Sequence, residues 1–188
     1  ARDFAQVGDT WEINGEVYTV VDETTLRQMV INDEDVTKVV TTFVTDMSRL
    51  FYNKTLFNQD IGSWDTSNVI SMSETFGYAE IFNQDIGYWD TSSVVTTSLM
   101  FLRAYAFNQD IGDSDTSNIS DMSAMFHIAR LFNKPLGSWD VSNVSNMSSM
   151  FNGSENFNQD ISQWNVQNVQ SMSGMFRSSP FNQNISSW

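Results

Sequence analysis

Apolar and polar positions recur along the chain with a period of 25 residues. The segment FNQDIGSWD and its close variants return four times at that interval and once after 24 residues. These segments begin at Phe57, Phe82, Phe107, Phe132, Phe157 and Phe181. A fixed period of this length is typical of solenoids, in which one repeat cannot bury its own apolar face and stacking buries a continuous core. The pattern therefore predicts one elongated domain built of stacked copies.

Within one copy, the large side chains are separated by short polar stretches. In the first full copy they are carried by Ile61, Trp64, Thr66 and Val69. Their spacing is similar to the framework of leucine-rich repeats, and it predicts a short strand near residues 63–68 and at the equivalent places. Further on, Met122–Phe132 has apolar residues at helical spacings, which predicts a short helix or 3-10 turn. The expected fold class is an α/β repeat, a leucine-rich-repeat-like right-handed solenoid of ~25-residue coils.

The first 35 residues differ from the copies and predict an N-terminal cap. Asn14-Gly15 between alternating apolar segments indicates a β-hairpin, because both central positions of a type I′ turn need positive φ. Asp22 and the residues after it predict a short helix that ends near Asn32. Residues 1–35 are thus expected to cover the open end of the array. Residues 36–188 are expected to form the solenoid, with one degenerate coil, five repeats of 24–25 residues and a truncated last repeat.

The composition narrows the classes of function. The 188 residues include 23 acidic and 9 basic side chains, and the net charge is −14. The basic residues are scattered, which argues against nucleic-acid binding, and the negative charge disfavours adsorption to anionic membranes. The sequence has no cysteine and no apolar run of the ~20 residues that a membrane span needs. His127 is the only histidine and no nucleophile–base set is discernible, so an enzyme is not expected.

Carboxylates recur on the side of the predicted strand that faces solvent. Side chains alternate along a strand, so inward residues at 64 and 66 place residues 63, 65 and 67 outward. We call the most distinctive outward residues of four successive copies the acidic face: Asp65, Tyr88, Asp90, Asp113, Asp115 and Asp140. The acidic face is the candidate binding surface, and no catalytic or metal-ligating residue is assigned.

Two alternatives account for carboxylates at this spacing. Each Asp can accept hydrogen bonds from the N–H groups of the turn that follows it, or Ca²⁺ can bind between neighbouring copies. The turn interpretation is favoured, because the sequence has no EF-hand or nonapeptide calcium motif. The same alternatives apply to a second acidic column, which consists of Asp60, Asp85, Asp110 and Asp160.

One copy departs from the others at Ser114, where the other full copies have Trp. The favoured interpretation is drift, with the gap filled by neighbouring side chains. The alternative is an acidic pocket formed by Asp90, Asp113, Asp115 and Asp140. The segments after each repeated Phe also vary, and variable surface on a fixed scaffold is where recognition resides. Their amphipathic residues are weaker binding candidates, namely Tyr78, Arg103, Tyr105, His127 and Arg130.

The motif FNQDIxxWDxSNVxxMxxMF resembles the repeat of the BspA-like leucine-rich-repeat proteins, a repeat of unknown function in mycoplasma surface lipoproteins and marine bacterial surface proteins. The resemblance covers about Val36 to Trp188. It implies an extracellular or cell-surface location and a role in adhesion or protein binding, and it supplies no catalytic residues. Ser114, Thr97 and Lys134-Pro135 depart from the motif.

The expected function is that of a non-enzymatic extracellular binding or adhesion module that presents the acidic face to a protein, peptide or glycan. The alternatives are a structural spacer of a larger surface protein and a repeat stabilised by a divalent cation such as Ca²⁺. An ice-binding array is disfavoured, because Thr66 and its equivalents point inward. No cofactor, nucleic acid or membrane insertion is expected. The chain is expected to be a piece of a longer protein, either monomeric or associated end to end through its open C-terminal coil.

Overall fold

A computed structural model describes residues 5–188, so the first four residues of the predicted cap lie outside the described part. The chain begins with a β-hairpin of β1 (Thr10–Ile13) and β2 (Glu16–Asp22), followed by α1 (Glu23–Ile31) and β3 (Val39–Phe43). The sheet order is β1-β2-β3, with β1 antiparallel and β3 parallel to β2. Strand β3, which belongs to the first, degenerate copy, therefore joins the hairpin to the repeats in one sheet.

Local sequence explains these elements. Asn14 and Gly15 both have positive φ, 53° and 82°, which is the geometry that a type I′ hairpin turn needs. Asp22 caps α1, and its carboxylate accepts a hydrogen bond from the N–H of Thr25 at 2.8 Å. Leu26 and Val30 on α1 are buried against the core. The hairpin and the helix thus lie where the sequence predicts them.

From residue 44 onward, equivalent positions of successive copies contact one another. Parallel β-bridges join each copy to the next at Asp46, Ser71, Thr96, Asp121, Asn146 and Ser171. Around each bridge the backbone continues the contact, as where the N–H of Met72 donates to the carbonyl of Thr96 at 3.0 Å. The copies are therefore stacked with a register of one copy per layer, and each layer bonds to the layer before and after it.

The core of the stack consists of columns of aromatic rings. Phe76 and Phe101 lie 5.6 Å apart between ring centroids, and Phe101 and Phe126 lie 5.5 Å apart, with nearly parallel planes. A second phenylalanine column stands beside the first, because Phe107 stacks on Phe101 at 3.9 Å. A third column contains the tryptophans, of which Trp64 and Trp89 stack at 6.3 Å. These rings are almost fully buried, so their burial is the main driving force for stacking.

The predicted helix in each copy is replaced by consecutive turns. In Met122–Phe132, the N–H groups of Phe126 and Ile128 donate to the next copy, at 2.9 and 2.8 Å, whereas the N–H of His127 donates to Ala124 in the same copy. Because every second N–H group donates to a carbonyl of the next copy, the i→i−4 hydrogen bonds of an α-helix cannot form. The apolar spacing that suggested a helix arises from these short turns.

The predicted strand near residues 63–68 is also replaced by turns. The N–H of Trp64 donates to the carbonyl of Ile61 at 3.2 Å, and the N–H of Val69 donates to that of Thr66 at 2.9 Å. Trp64 and Thr66 are buried and Ser63 is exposed. The alternation of inward and outward residues is therefore present without a strand, and the parallel pairing lies further along the copy, at Ser71.

The turns place non-glycine residues in the left-handed region, and this geometry gives a testable prediction. Ser149 has φ 56°, and Gly174 occupies the equivalent position of the next copy with φ 66°. A residue with a Cβ pays ~1–2 kcal/mol in this region, more than the entropic cost of glycine. Ser149→Gly is expected to raise the free energy of unfolding by about 0.5–1 kcal/mol in urea denaturation.

The neighbouring Ser148 supplies the matched control. Its hydroxyl donates to Oδ1 of Asn146 at 2.8 Å, and its φ is not positive. Ser148→Gly should therefore lower the free energy of unfolding by about 1 kcal/mol, since it removes a hydrogen bond and adds chain entropy. Equal losses of stability for the two variants would contradict the left-handed assignment at Ser149.

Candidate functional site

The acidic face lies on one exposed ridge of the stack. Asp90, Asp113, Asp115 and Asp140 are exposed, Asp65 is half-buried, and Tyr88 has 87% of its surface exposed. Buried threonine hydroxyls fix the ridge, because Thr66 donates to the carbonyl of Asp90 at 2.9 Å and Thr116 donates to that of Asp140 at 2.9 Å. The backbone at Asp90 and Asp140 is thus tied to the preceding copy, and the carboxylates follow one another layer by layer.

Four aspartates of this ridge, Asp65, Asp90, Asp115 and Asp140, also cap a turn in their own copies. The carboxylate of Asp115 accepts hydrogen bonds from the N–H of Ser117 at 2.9 Å and from its hydroxyl at 2.7 Å. Asp90 accepts the same pair from Ser92, at 3.0 and 2.6 Å. The Ser117 hydroxyl, followed by its N–H, lowers the pKa of Asp115. These bonds are the Asx-turn arrangement that the sequence favours, and they hold the carboxylates in fixed positions.

Asp65 has an additional partner. Its carboxylate accepts hydrogen bonds from the Ser67 hydroxyl at 2.6 Å and from the Thr42 hydroxyl of the preceding copy at 2.8 Å. The Ser67 hydroxyl bond is the first cause of a lowered pKa at Asp65, and the Thr42 bond adds to it. Asp65 is therefore the most enclosed carboxylate of the acidic face, whereas the later copies present theirs to solvent.

The second acidic column has the same local role. Asp85 accepts a hydrogen bond from the N–H of Gly87 at 2.9 Å, and Asp160 accepts one from the N–H of Ser162 at 2.9 Å. The N–H and hydroxyl of Ser162 lower the pKa of Asp160. Within residues 5–188, no group of three or more Asp, Glu or His side chains is placed so that it could hold a metal ion.

The gap at Ser114 is lined by apolar rather than acidic side chains. The four full-copy tryptophans of that column are only 3–4% exposed, whereas Ser114 is half-buried. A cavity remains there, and its walls include Trp89, Phe101 and Trp139 as well as Thr97. None of the four aspartates of the predicted acidic pocket lines this cavity. They lie outside it, on the exposed ridge, so the acidic-pocket interpretation is replaced by an apolar cavity with an acidic surface nearby.

The variable segments bring their aromatic and basic residues together. The guanidinium of Arg103 lies 5.3 Å from the ring centroid of Tyr78, and that of Arg130 lies 4.6 Å from that of Tyr105. Burial, and then the charge of Arg103, lowers the pKa of His127. Each arginine is thus positioned by a cation–π contact with a tyrosine of the preceding copy. A groove of about 450 Å³ is lined by Tyr105 and Arg130, with exposed Ile81 and Leu131 among its walls.

Family comparison agrees with the extent of the repeat. Two overlapping stretches, residues 21–118 and 108–188, match the sequence profile of a family described as Mycoplasma protein of unknown function, DUF285. The chain belongs to this DUF285 family. No curated protein and no solved structure matches it.

Membership of the DUF285 family does not assign an activity, since the family is itself of unknown function. Among residues 5–188, no helix is long and apolar enough to cross a membrane. Among the surfaces of this DUF285 protein that are described above, the acidic face is the most regular.

Proposed function

We propose that this DUF285 protein is a non-enzymatic binding or adhesion module that works outside the cell, and that its stacked copies form a leucine-rich-repeat-like right-handed solenoid of the BspA-like type. The acidic face presents the binding surface to a protein, peptide or glycan. The stacking of the copies, the family match and the resemblance of the repeat motif to surface proteins support this proposal. The acidic face in turn favours partners that carry positive charge.

The observation that carries the proposal is that the charge of the acidic face is not neutralised within the described residues. Among residues 5–188, the six ion pairs involve none of the five aspartates of this face. The nearest compensation is the set of turn hydrogen bonds, which fixes the carboxylates of Asp90, Asp115 and Asp140 but leaves their charge in place. A row of fixed charges costs repulsion in the free protein, and a cationic partner relieves that cost when it binds.

Preorganisation strengthens the same conclusion. The carboxylates of Asp90, Asp115 and Asp140 are held by hydrogen bonds to their own turns, and those turns are held by threonine hydroxyls of the preceding copy. A partner would therefore find the charges at regular intervals without ordering flexible side chains first. Tyr88 extends from the same ridge with most of its ring in solvent, and tyrosine is a side chain that binding surfaces favour.

The test is a binding screen with a variant that removes charge and keeps the turns. The variant combines Asp65→Asn, Asp90→Asn, Asp115→Asn and Asp140→Asn. Asn165 occupies the equivalent position of the next copy, and its amide oxygen accepts the N–H of Gln167 at 3.3 Å, so asparagine can cap this turn. The probes are arrays of lysine-rich and neutral peptides and of charged and neutral glycans at about 0.15 M salt, where surface charges act over about 8 Å.

The control variant removes the same charge from the second acidic column, with Asp60→Asn, Asp85→Asn, Asp110→Asn and Asp160→Asn. Asn184 is the natural precedent there, since its amide oxygen accepts the N–H of Ser186 at 3.0 Å. We expect the wild type to bind a cationic peptide or glycan, the first variant to bind it at least tenfold more weakly, and the control to bind it with little change. No binding by the wild type, or equal losses in both variants, would overturn the proposal and favour the spacer alternative.

We also propose that two molecules of the 188-residue chain associate end to end. The surface of the last copy has a shallow depression of about 450 Å³ that is lined by Met172, Phe176 and Trp188. In earlier copies the phenylalanines equivalent to Phe176, such as Phe126 and Phe151, are fully buried between neighbouring copies. Sedimentation at increasing protein concentration tests this, with Phe176→Asp as the variant expected to remain monomeric.

A further inference from the structure

The N-terminal cap closes two of the three aromatic columns and leaves the third one open. Phe51 and Trp64 are the first rings of their columns, and they are 0% and 4% exposed. Phe57 is the first ring of the second phenylalanine column and is only partly buried, whereas Phe82 after it is fully buried. Phe82 has ring neighbours in both adjacent copies, at 5.9 and 6.0 Å. Within residues 5–188, Phe57 has a stacked ring in its own copy and in the following one, but none on the side of the cap.

The ring is missing because the first, degenerate copy has an asparagine at that position. The indole N–H of Trp64 donates to the carbonyl of Val36 at 3.0 Å, and that of the next tryptophan donates to Ile61 at 3.1 Å, so Val36 is the equivalent of Ile61. Four residues before Ile61 lies Phe57, and four residues before Val36 lies Asn32. Asn32 is exposed and its amide group bonds to other side chains of the cap, so the space beside Phe57 is not filled.

A groove of about 580 Å³ lies at this place. Its apolar walls include Val30 from α1, Leu56 and Phe57. Leu56 is 82% exposed, which is more than its equivalents Ile81 at 44% and Leu131 at 51%. Ligand sites commonly enclose ~300–1,000 Å³ and combine apolar walls with a few polar groups. The groove therefore has room for an aromatic side chain together with the backbone that carries it.

One backbone donor in the groove lacks the acceptor that its equivalents have. The N–H of Asn83 donates to Oδ1 of Asn58 at 2.9 Å, and the same bond joins the four later pairs of copies. Asp33 stands one copy before Asn58, but its carboxylate accepts a hydrogen bond from Nζ of Lys54 at 2.7 Å instead. Within residues 5–188, the N–H of Asn58 makes no hydrogen bond. A carbonyl oxygen of an occupant can therefore accept it.

The groove carries a net negative charge. Asp33, Glu34 and Lys54 are the charged residues among its walls. Lys54 is held between the Asp33 carboxylate and the carbonyl of Ile31, to which its Nζ donates at 3.2 Å. Glu34 takes part in none of the six ion pairs within residues 5–188. An occupant with a basic residue near its ring would therefore meet an uncompensated carboxylate.

We propose that this groove binds a peptide segment of a partner protein that carries an aromatic side chain close to a lysine or arginine. The ring packs against Phe57 and Leu56, in the place that Asn32 leaves open. A carbonyl of the peptide accepts the N–H of Asn58, and the basic side chain lies beside Glu34. The groove shares no residue with the acidic face, and this proposal does not rest on the function proposed for that face.

The test is an NMR titration of the ¹⁵N-labelled 188-residue chain with the peptide Leu-Phe-Asn-Lys-Pro, acetylated and amidated at its ends, at millimolar concentrations. This sequence, that of residues 131–135, supplies a phenylalanine and a lysine. We expect saturable shifts of the backbone amide signals of Leu56 and Asn58, because a new hydrogen bond and a nearby ring both change the environment of an amide proton. The peptide with serine in place of phenylalanine should produce no such shifts. Absence of a saturable shift at Asn58, or equal binding by the two peptides, would overturn the proposal.

A pair of leucine variants shows whether the peptide binds in the groove. Leu56→Ser should weaken binding about fivefold, since it removes an apolar wall. Leu131→Ser changes the same residue type at the equivalent position of a later copy, and it should leave binding unchanged. Both leucines are exposed, so neither change should disturb the fold, and the NMR spectrum reports this directly. Equal effects of the two variants would contradict the assignment to this groove.

A charge variant tests the basic residue of the occupant. Glu34→Gln should reduce the preference for the lysine peptide over its glutamine analogue at least twofold, and it should leave binding of the glutamine analogue unchanged. An unaltered preference would overturn the proposed role of Glu34. The Asn variants of the acidic face leave every residue of the groove unchanged, and Leu56→Ser leaves the acidic face unchanged, so the two proposals fail separately.

Discussion

Phe126→Ala is expected to lower the free energy of unfolding by about 3–5 kcal/mol, the largest effect of any single substitution considered. The Phe126 ring is fully buried and stacks on Phe132 at 4.0 Å. It also lies 5.5 Å from Phe101 in the preceding copy and 5.5 Å from Phe151 in the following one. Removal of the ring therefore leaves a cavity that touches three copies, and a stack with contacts only between neighbours cannot repack it from a distance.

Urea denaturation followed by circular dichroism measures this loss. Tyr88→Ala is the control, because Tyr88 is 87% exposed and its truncation should change the free energy of unfolding by less than about 0.5 kcal/mol. Phe126→Leu keeps most of the side-chain volume, so its loss in free energy of unfolding should lie between those of Phe126→Ala and Tyr88→Ala. A loss at Phe126→Ala no larger than that at Tyr88→Ala would mean that the phenylalanine column is not the core of the fold.

Ser114→Trp is expected to raise the free energy of unfolding by about 2 kcal/mol, in contrast to most core substitutions, which destabilise. The new ring would complete the column between Trp89 and Trp139, and its N–H would reach the carbonyl of Ile86 as equivalent indoles do one copy away. Burial of a large apolar side chain contributes ~1.5–3 kcal/mol and a hydrogen bond ~1 kcal/mol. Displacement of the side chains that partly fill the cavity opposes this gain.

Gln163→Trp is the matched control for the added ring. Gln163 directly precedes Trp164 and is exposed, so a tryptophan there adds surface without filling a cavity. Its free energy of unfolding should stay within about 0.5 kcal/mol of the wild type. A loss of stability at Ser114→Trp would show that neighbouring side chains have closed the gap and that the column cannot accept a ring in this copy.

Much of the architecture follows from the sequence because identical residues recur at one interval. The columns of Phe101 and its equivalents are expected to stack for that reason, and the Asn14-Gly15 turn and the Asp22 cap depend on local chemistry that a short segment contains. The Asp-Thr-Ser sequence likewise predicts that Asp90 and Asp115 cap turns. These features need no knowledge of distant contacts.

The backbone conformation between the stacked columns is harder to predict from the sequence. The spacing of Met122 and Phe126 fits a helix as well as it fits consecutive turns, and the choice depends on N–H groups that bond to another copy. The positive φ values at Ala124 and Ile128 give no signal either, because neither residue type favours that region. At Ser114 the sequence shows that a ring is missing, but only the packing of Trp89 and Trp139 shows that a cavity remains.

The central claim is that equivalent positions of successive copies lie directly above one another. Because the sequence has no cysteine, pairs of spin labels can be attached at introduced cysteines without background. With ~4.8 Å per layer, labels at Ser63 and Tyr88 should lie about 5 Å apart and broaden the continuous-wave spectrum, and labels at Ser63 and Gln163 should lie about 20 Å apart in pulsed measurements. An unbroadened spectrum for the adjacent pair, or a Ser63–Gln163 distance far from four layers, would contradict the stacked arrangement.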